Sequence, residues 1–230
     1  MQDAGKRDAG ARAADLVRDG TVLGLGTGST VFFAVERLRS RIAEGLDLVA
    51  VPTSYQAAMR AREAGIPLTT LDEHPEVDAT IDGADQVDGC LRLIKGRGAA
   101  HTREKCVAAA SARLFIAVDP SKMVGVLTGP IPVEVLPFAC KPVMARIAGL
   151  GGEGVLREGL RKDGPVITDN GNFVLDARFG AISDPEHLEA AIEAIPGVVA
   201  AGLFTGFTER TTVLVGEKDG VRILGRQPGL

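Results

Sequence analysis

Aromatic residues are scarce in this chain, at 4% of 230 residues, with one Tyr and no Trp. A core must therefore rest on Ala, Val, Leu and Ile. Cysteine is sparse too: Cys90, Cys106 and Cys140 are far apart and odd in number, and no Cys-x-x-Cys pair occurs. That spacing indicates neither a zinc site nor a disulfide framework. His74, His101 and His187 are equally scattered and read as packing or surface residues. No apolar run reaches the length needed to span a membrane. The start, Met-Gln-Asp-Ala-Gly-Lys-Arg-Asp, lacks the apolar stretch of a signal peptide. The expected location is therefore the cytoplasm, with no membrane partner. Positive charge is not in excess either. A net charge of −4 leaves no electrostatic footprint for nucleic acid.

What remains is an ordinary globular composition, 45% hydrophobic and 24% charged. The length suits one large domain or a domain with a small partner, and it is enough to bury a core. Strands and helices alternate through the first half. Thr21-Val-Leu-Gly-Leu25 reads as a buried strand, and Val31, Val35, Leu38 and Ile42 recur at helical spacing. A strand over Leu46–Val51 and a helix capped by Ser54 and ending near Gly65 follow. Short strands are expected at Pro67–Leu71, Val77–Ile81 and Leu91–Ile94. A helix through Cys106–Ala110 and a strand at Leu114–Val118 close the series. This alternation predicts a largely parallel sheet covered on both faces. After about residue 128, Pro130, Pro132, Pro137 and Pro142 mark a change of texture. Extended segments at 154–160, 165–168 and 172–176 follow, with a helix from Asp184-Pro185 and a strand over Val198–Phe204. These suggest a smaller α+β unit. A hairpin turns at Asp219-Gly220.

Three strand-to-helix loops carry the candidate chemistry, and in open parallel sheets ligands collect beyond the carboxyl ends of the strands. Gly24-Leu-Gly-Thr-Gly-Ser-Thr30 offers close backbone approach, two hydroxyls and a helix N-terminus. It suits a phosphate, although such turns can be purely structural. It is not a dinucleotide fingerprint, because Ser29 stands where a third glycine belongs and the second strand ends without an acidic residue. No Gly-Lys-Ser/Thr follows, so it is not a nucleotide P-loop. A phosphorylated small molecule is the better reading. The second loop carries Asp82, Asp85 and Asp88. Sugar hydroxyls, a metal and simple turn formation are all open to such carboxylates, but no other cluster completes a Mg²⁺ site. The third loop, Lys95-Gly-Arg-Gly-Ala-Ala-His-Thr-Arg-Glu104-Lys105, places Glu104 in the first turn of a helix that Thr102 is expected to cap. A carboxylate base flanked by lysines suits proton abstraction beside a carbonyl, where an anionic intermediate needs cationic or hydrogen-bonding support.

At these loops the chain resembles the type A ribose-5-phosphate isomerase family. The matching motifs are Gly24-x-Gly-Thr-Gly-Ser-Thr30, Asp82-Gly-Ala-Asp85 and Lys95-Gly-x-Gly-x-Ala with Arg103-Glu104-Lys105, in the family's order and spacing. Ser121-Lys122, Pro132-Val-Glu-Val135, Thr168-Asp-Asn-Gly-Asn172 and Ile195-Pro-Gly-Val198 extend the likeness over nearly the whole chain. The resemblance implies a Rossmann-like α/β domain, residues 1–128 plus 206–230, carrying a smaller α+β domain, residues 129–205. It implies aldose–ketose isomerisation of ribose 5-phosphate and ribulose 5-phosphate in the non-oxidative pentose phosphate branch, with no cofactor or metal, by a homodimer or homotetramer.

Roles follow position by position from the same resemblance. Glu104 is the base that moves a proton between carbons 2 and 1 through a cis-enediolate. Asp82 and Asp85, with Gly83 and Ala84 between them, hold sugar hydroxyls. Lys95 and the backbone of Gly96, Arg97 and Gly98 support the developing oxyanion. Thr27, Gly28, Ser29 and Thr30 bind substrate, Lys122 adds a contact, and Lys6 matches a phosphate-reaching lysine. Two residues depart from the pattern. Arg97 replaces a glycine, which costs roughly 1–2 kcal/mol if that position has positive φ and nothing if it does not. Gln86 stands where Glu is common. Two other classes compete. A sugar-phosphate sensor would carry a DNA-binding segment, for which the stretch before Thr21 is short. An acyl-CoA transferase would use a Glu as nucleophile.

Overall fold

The computed structural model describes residues 2–225. In chain order the helices and strands begin with α1 (Gln2–Asp15), β1 (Thr21–Leu25), α2 (Ser29–Ala43), β2 (Leu48–Pro52), α3 (Tyr55–Glu63) and β3 (Ala79–Asp82). Next come β4 (Gln86–Val87), β5 (Leu93–Ile94), α4 (His101–Ala110), β6 (Leu114–Val118), β7 (Ile131–Val135) and α5 (Cys140–Gly149). The series ends with β8 (Glu153–Leu156), β9 (Phe173–Arg178), α6 (Pro185–Glu193), β10 (Val198–Ala201), β11 (Leu203–Phe204), β12 (Thr211–Glu217) and β13 (Gly220–Gly225).

The chain divides into two compact units. The first comprises residues 1–84, 106–123 and 207–230, and the second 85–105 and 124–206. Residues 85–105 fall with the second unit, where the sequence reading drew them into the first. The reason is strand pairing: β5 joins β11 and β4 in a small antiparallel sheet.

The first unit holds a six-stranded sheet in the order β13-β12-β6-β3-β1-β2. Every pairing is parallel except the terminal β12–β13 hairpin. β1 lies between β2 and β3, so the chain runs to opposite sides after its first two strands. That reversal opens a crevice at the carboxyl ends of β1 and β3. The sheet is Rossmann-like, as expected. Its core of Leu23, Leu25, Val31, Leu38, Ile81 and Phe115 is aliphatic but for one ring. β6 is buried along its whole length, the mark of a strand covered on both faces.

α1 was not foreseen, because its sequence is mostly alanine, glycine and charge. It packs through glycine backbone and the fully buried Ala9, Ala13 and Ala14 rather than through bulky side chains. A Cβ on Gly5 would strike the Gly216 carbonyl of β12, and one on Gly216 would strike the Gly5 carbonyl. A Cβ on Gly10 would lie 2.5 Å from the Thr30 carbonyl oxygen and 3.0 Å from Ala34 N of α2.

The second unit holds the antiparallel sheet β10-β7-β9-β8 over a cluster including Val133, Val135, Val143, Ile147, Leu175 and Ile192. The expected strand over Val198–Phe204 breaks at Gly202, whose N–H donates to the Pro132 carbonyl and whose carbonyl accepts from Lys95 N–H. A Cβ there would lie 2.8 Å from Pro132 Cδ. Asp184 caps α6 as the sequence indicates, accepting from His187 N–H.

Candidate active site

In the first unit the glycine loop leaves β1 and enters α2. Gly26 N–H donates to the Ile81 carbonyl at 2.9 Å, which ties the loop to the end of β3. Gly26 must lack a side chain, since a Cβ would overlap the Asp82 carboxylate. Gly28 caps α2 with φ at 119° and no side-chain bond, so the first N–H groups of α2 keep no intrahelical acceptor. Ser29 is exposed at this end, whereas Thr30 is buried. Thr27 Oγ1 lies 2.7 Å from Ser54 Oγ, the hydroxyl that caps α3 by accepting from Ala57 N–H. The arrangement offers hydroxyls, open N–H groups and a positive helix end.

Asp82 is 2% exposed and ends β3. Its Oδ1 accepts from Gly83 N–H at 2.8 Å. Lys6 and Lys122 share one neighbour here. Both lie close enough to Asp119 for their charges to act on its carboxyl. Burial pushes that carboxyl up, but hydrogen bonds from the Ser121 hydroxyl and N–H, with the two lysines, pull it below its ordinary value. Asp119 sits at the end of β6 and caps the 3-10 turn Pro120–Lys122.

In the second unit the third loop runs from β5 into α4. Lys95 and Glu104 are 4% and 6% exposed, and Lys95 Nζ stands 3.1 Å from Glu104 Oε2. Two opposite charges this deep must compensate each other. Lys95 Nζ also lies 5.5 Å from the Phe204 ring centroid, and Lys105 Nζ 5.0 Å. Lys105 itself turns to Glu189 at 2.5 Å and Glu193 at 2.6 Å. Of the two flanking lysines, Lys95 is the one that meets the Glu104 carboxylate.

Glu104 lies in the first turn of α4, as expected, but Thr102 is not its cap. The helix starts two residues earlier than that cap implies, at His101, and the Thr102 hydroxyl donates to Glu134 at 2.5 Å. Glu134 is the larger surprise. Fully buried in the apolar strand β7, it also accepts from Thr168 Oγ1, Asn170 Nδ2 and Asn172 Nδ2. Burial would raise its pKa, but the four donors prevail and lower it. Arg103 adds bonds to Asn170 Oδ1 and the Asp169 carbonyl. The Thr168–Asn172 segment therefore anchors the start of α4 through Glu134 and Arg103, at the two residues just before Glu104. The signal in the sequence was a carboxylate inside an apolar run.

Asp85 is half-buried, and its Oδ2 accepts from Arg97 N–H at 2.9 Å. Arg97 is exposed and its φ is not positive, so the substitution carries no left-handed strain. The strain falls at Gly96, with φ at 103°, and at Ala99, with φ at 60°. Only the second has a Cβ, at a cost of about 1–2 kcal/mol. His101 lies under the loop, fully buried, and a Cβ on Gly96 would come 2.7 Å from its Nδ1. Burial holds His101 down to about 4, so it is neutral near pH 7.

Asp88 does not join the other two aspartates. It closes the β4–β5 hairpin, accepting from Cys90 N–H, Arg92 N–H and Arg92 Nε. Gln86 accepts from Thr128 N–H and Gly129 N–H, work that its amide oxygen does without charge. Among the described residues no group of three or more His, Cys, Asp or Glu is arranged to hold a metal ion. No helix there is long and apolar enough to cross a membrane.

Comparison with known proteins shows the family of the chain. The family model of ribose 5-phosphate isomerase A (phosphoriboisomerase A) matches residues 49–220. The ribose-5-phosphate isomerase A of Methanoregula boonei is 59% identical over 96% of this chain and 93% of its own. The structure of ribose 5-phosphate isomerase A from Methanocaldococcus jannaschii superposes with a TM-score of 0.91 at 46% identity, covering 96% of this chain and 98% of that one. A D-ribose-5-phosphate isomerase in complex with phospho-erythronic acid gives a TM-score of 0.94 at 41% identity, covering 98% of this chain and 100% of that one. The chain belongs to the ribose 5-phosphate isomerase A family.

Proposed function

We propose that this protein interconverts ribose 5-phosphate and ribulose 5-phosphate in the pentose phosphate pathway, with Glu104 as the base. The observation that carries the assignment of the base is the buried Lys95–Glu104 pair at 3.1 Å. In the open-chain aldose, Glu104 takes the proton from carbon 2. The C–H electrons form the C1–C2 double bond, and the carbonyl electrons pass to O1. The resulting cis-enediolate carries charge on its oxygens, which Lys95 and the N–H groups of the Gly96–Gly98 loop balance. Glu104 returns the proton to carbon 1 while the O2 proton moves to O1, and C2=O forms. No atom or electron is lost, so the reaction needs no external oxidant.

Asp82 and Asp85 are the acceptors for sugar hydroxyls. Thr27, Gly28, Ser29 and Thr30, with Lys122 and Lys6, supply donors and positive charge for the phosphate end. Support for Lys6 comes from its sharing Asp119 with Lys122. The resemblance supports a cytoplasmic homodimer or homotetramer, and light scattering distinguishes either from a monomer.

The test is exchange at carbon 1 of ribulose 5-phosphate in deuterated water, with chelator present. Wild type should incorporate deuterium and turn over. Glu104→Gln should bind phospho-erythronic acid yet lose nearly all exchange, and full activity in that variant would exclude Glu104 as the base.

A further inference from the structure

Arg157, on the strand-like segment after β8, was marked by nothing in the sequence. Its guanidinium is held by Asp176 of β9 in a two-point contact, Nε to Oδ2 at 2.9 Å and Nη2 to Oδ1 at 2.5 Å. Its remaining face reaches the third loop. Nη1 donates to the Gly96 carbonyl at 2.9 Å and to the Arg97 carbonyl at 3.0 Å. The side chain is 16% exposed. One cation thus grips two successive peptide groups of the loop beside Lys95.

Peptide geometry makes the consequence specific. In a planar trans peptide the N–H points opposite to the C=O. Drawing the Gly96 carbonyl toward Arg157 sends the Arg97 N–H the other way, and it is found on Asp85 Oδ2 at 2.9 Å. Drawing the Arg97 carbonyl the same way sends the Gly98 N–H to that same opposite side. The Gly98 N–H meets no acceptor among the described residues, and the backbone around it is exposed. Two adjacent donors are therefore presented in one direction, one already on a candidate site carboxylate and the other open. A charge on the carbonyl side also polarises each peptide and strengthens its N–H as a donor. Preorganised donors of this kind stabilise developing oxyanions because they need not reorient during reaction.

We propose that Arg157, fixed by Asp176, is a positioning residue for proton transfer: by holding the Gly96 and Arg97 carbonyls it aims the Arg97 N–H at Asp85 and the open Gly98 N–H at the enediolate oxyanion, and strengthens both as donors. The inference rests on the reaction assigned above. Arg157 itself touches the loop and not the substrate, so its effect belongs to the transition state rather than to ground-state affinity. The ion pair is also directional. Lys at this position would keep the charge but lose the fork that Asp176 grips.

The experiment measures kcat and KM for ribose 5-phosphate, carbon-1 exchange, and inhibition by phospho-erythronic acid, whose carboxylate mimics the anionic oxygens. Wild type, Arg157→Ala, Arg157→Lys and Asp176→Asn are compared. Arg157→Ala should lose about 10- to 100-fold in kcat and in exchange, below the 10²–10³ seen when an oxyanion donor is deleted outright. KM should stay within about threefold, and inhibition should weaken with kcat. Millimolar methylguanidinium should restore at least part of kcat to Arg157→Ala without changing KM, a response that general destabilisation would not give. Arg157→Lys and Asp176→Asn should fall between wild type and Ala. An Arg157→Ala enzyme that is folded by circular dichroism and keeps kcat, or whose loss methylguanidinium leaves untouched, overturns the proposal. Should that variant not fold, unchanged kcat and inhibition in Arg157→Lys overturn it equally. Wild type without isomerase activity would instead refute the function itself, so the two failures are distinct.

Discussion

Gly26→Ala should disable the enzyme by displacing one carboxylate. Gly26 is not in the left-handed region, so alanine's backbone fits without strain and the effect is purely steric. The added Cβ would overlap Asp82 Oδ1 and Cγ and lie 2.8 Å from Asp82 Cβ. Carbon atoms settle at separations of about 3.5 Å or more, so the Asp82 side chain must retreat by about 1 Å, and its carboxylate by more. The retreat also pulls Oδ1 off Gly83 N–H, which it now meets at 2.8 Å. The Gly26 backbone cannot yield instead without breaking its bond to the Ile81 carbonyl. A misplacement of this size costs about 10²-fold in rate, or about 2.7 kcal/mol of transition-state stabilisation. Overpacking costs roughly a further 1–3 kcal/mol of stability. The assay is conversion of ribose 5-phosphate to the ketose, paired with urea unfolding. Gly89→Ala is the control, because nothing lies within 4 Å of its Cβ position and its φ is not positive. A Gly26→Ala enzyme within about threefold of wild-type kcat would refute the reasoning that Asp82 must stand where the glycine lets it.

Stability should fall on acidification because His101 is buried neutral, with its pKa lowered from 6.5 to about 4. The unfolded chain binds the proton first, so stability is complete above about pH 6.5 and lost as pH drops toward 4. The difference corresponds to about 3 kcal/mol. Urea midpoints between pH 7 and 4 should be less pH-dependent in His101→Gln, and an identical slope in both proteins would contradict this. Glu134→Ala should cost about 2–4 kcal/mol, because buried Thr168 and half-buried Thr102 and Asn172 lose their acceptor, whereas exposed Asn170 can turn to water. Glu134→Gln keeps an acceptor for the three donors on Oε1 and should cost about 1–2 kcal/mol. Equal losses by urea denaturation would show that the hub does not depend on that oxygen.

The elements that position the candidate site were legible for a physical reason. β1, β3 and β6 are buried on both faces and read as short apolar runs, and the glycines and aspartates that end two of them have few other uses. Elements that pack by other means were hidden. α1 has no stripe of large apolar side chains because it docks through Gly5, Gly10 and the small Ala9, Ala13 and Ala14. β7 was masked by Pro132, and α5 by Pro142, which sits in the first turn, where an N–H has no intrahelical acceptor anyway. Within the candidate site the reacting residue types and their spacing could be named. Their supports could not: Glu134 reaches α4 from 32 residues away in sequence and Arg157 reaches its loop from 61, while Asp176 acts only through Arg157. Arg97 misled because residue type suggests where strain should lie, whereas the turn places it at Ala99.

The contact between Gly5 and Gly216 fixes more than a helix on a sheet. Side chains packed against side chains tolerate a small slide, because rotamers adjust. Two backbones in touch do not, since neither has anything to rotate. A helix rises 1.5 Å and turns about 100° per residue, so a screw-like slip of a single position would bring the methyl of Ala4 against the Gly216 carbonyl. Lys6, the next residue along, is thereby held in register with Asp119 at the end of another strand. The absence of a side chain at residue 5 thus sets where the charge at residue 6 can act. On the role proposed for Lys6, replacing that glycine would alter phosphate affinity through a residue that never meets the phosphate.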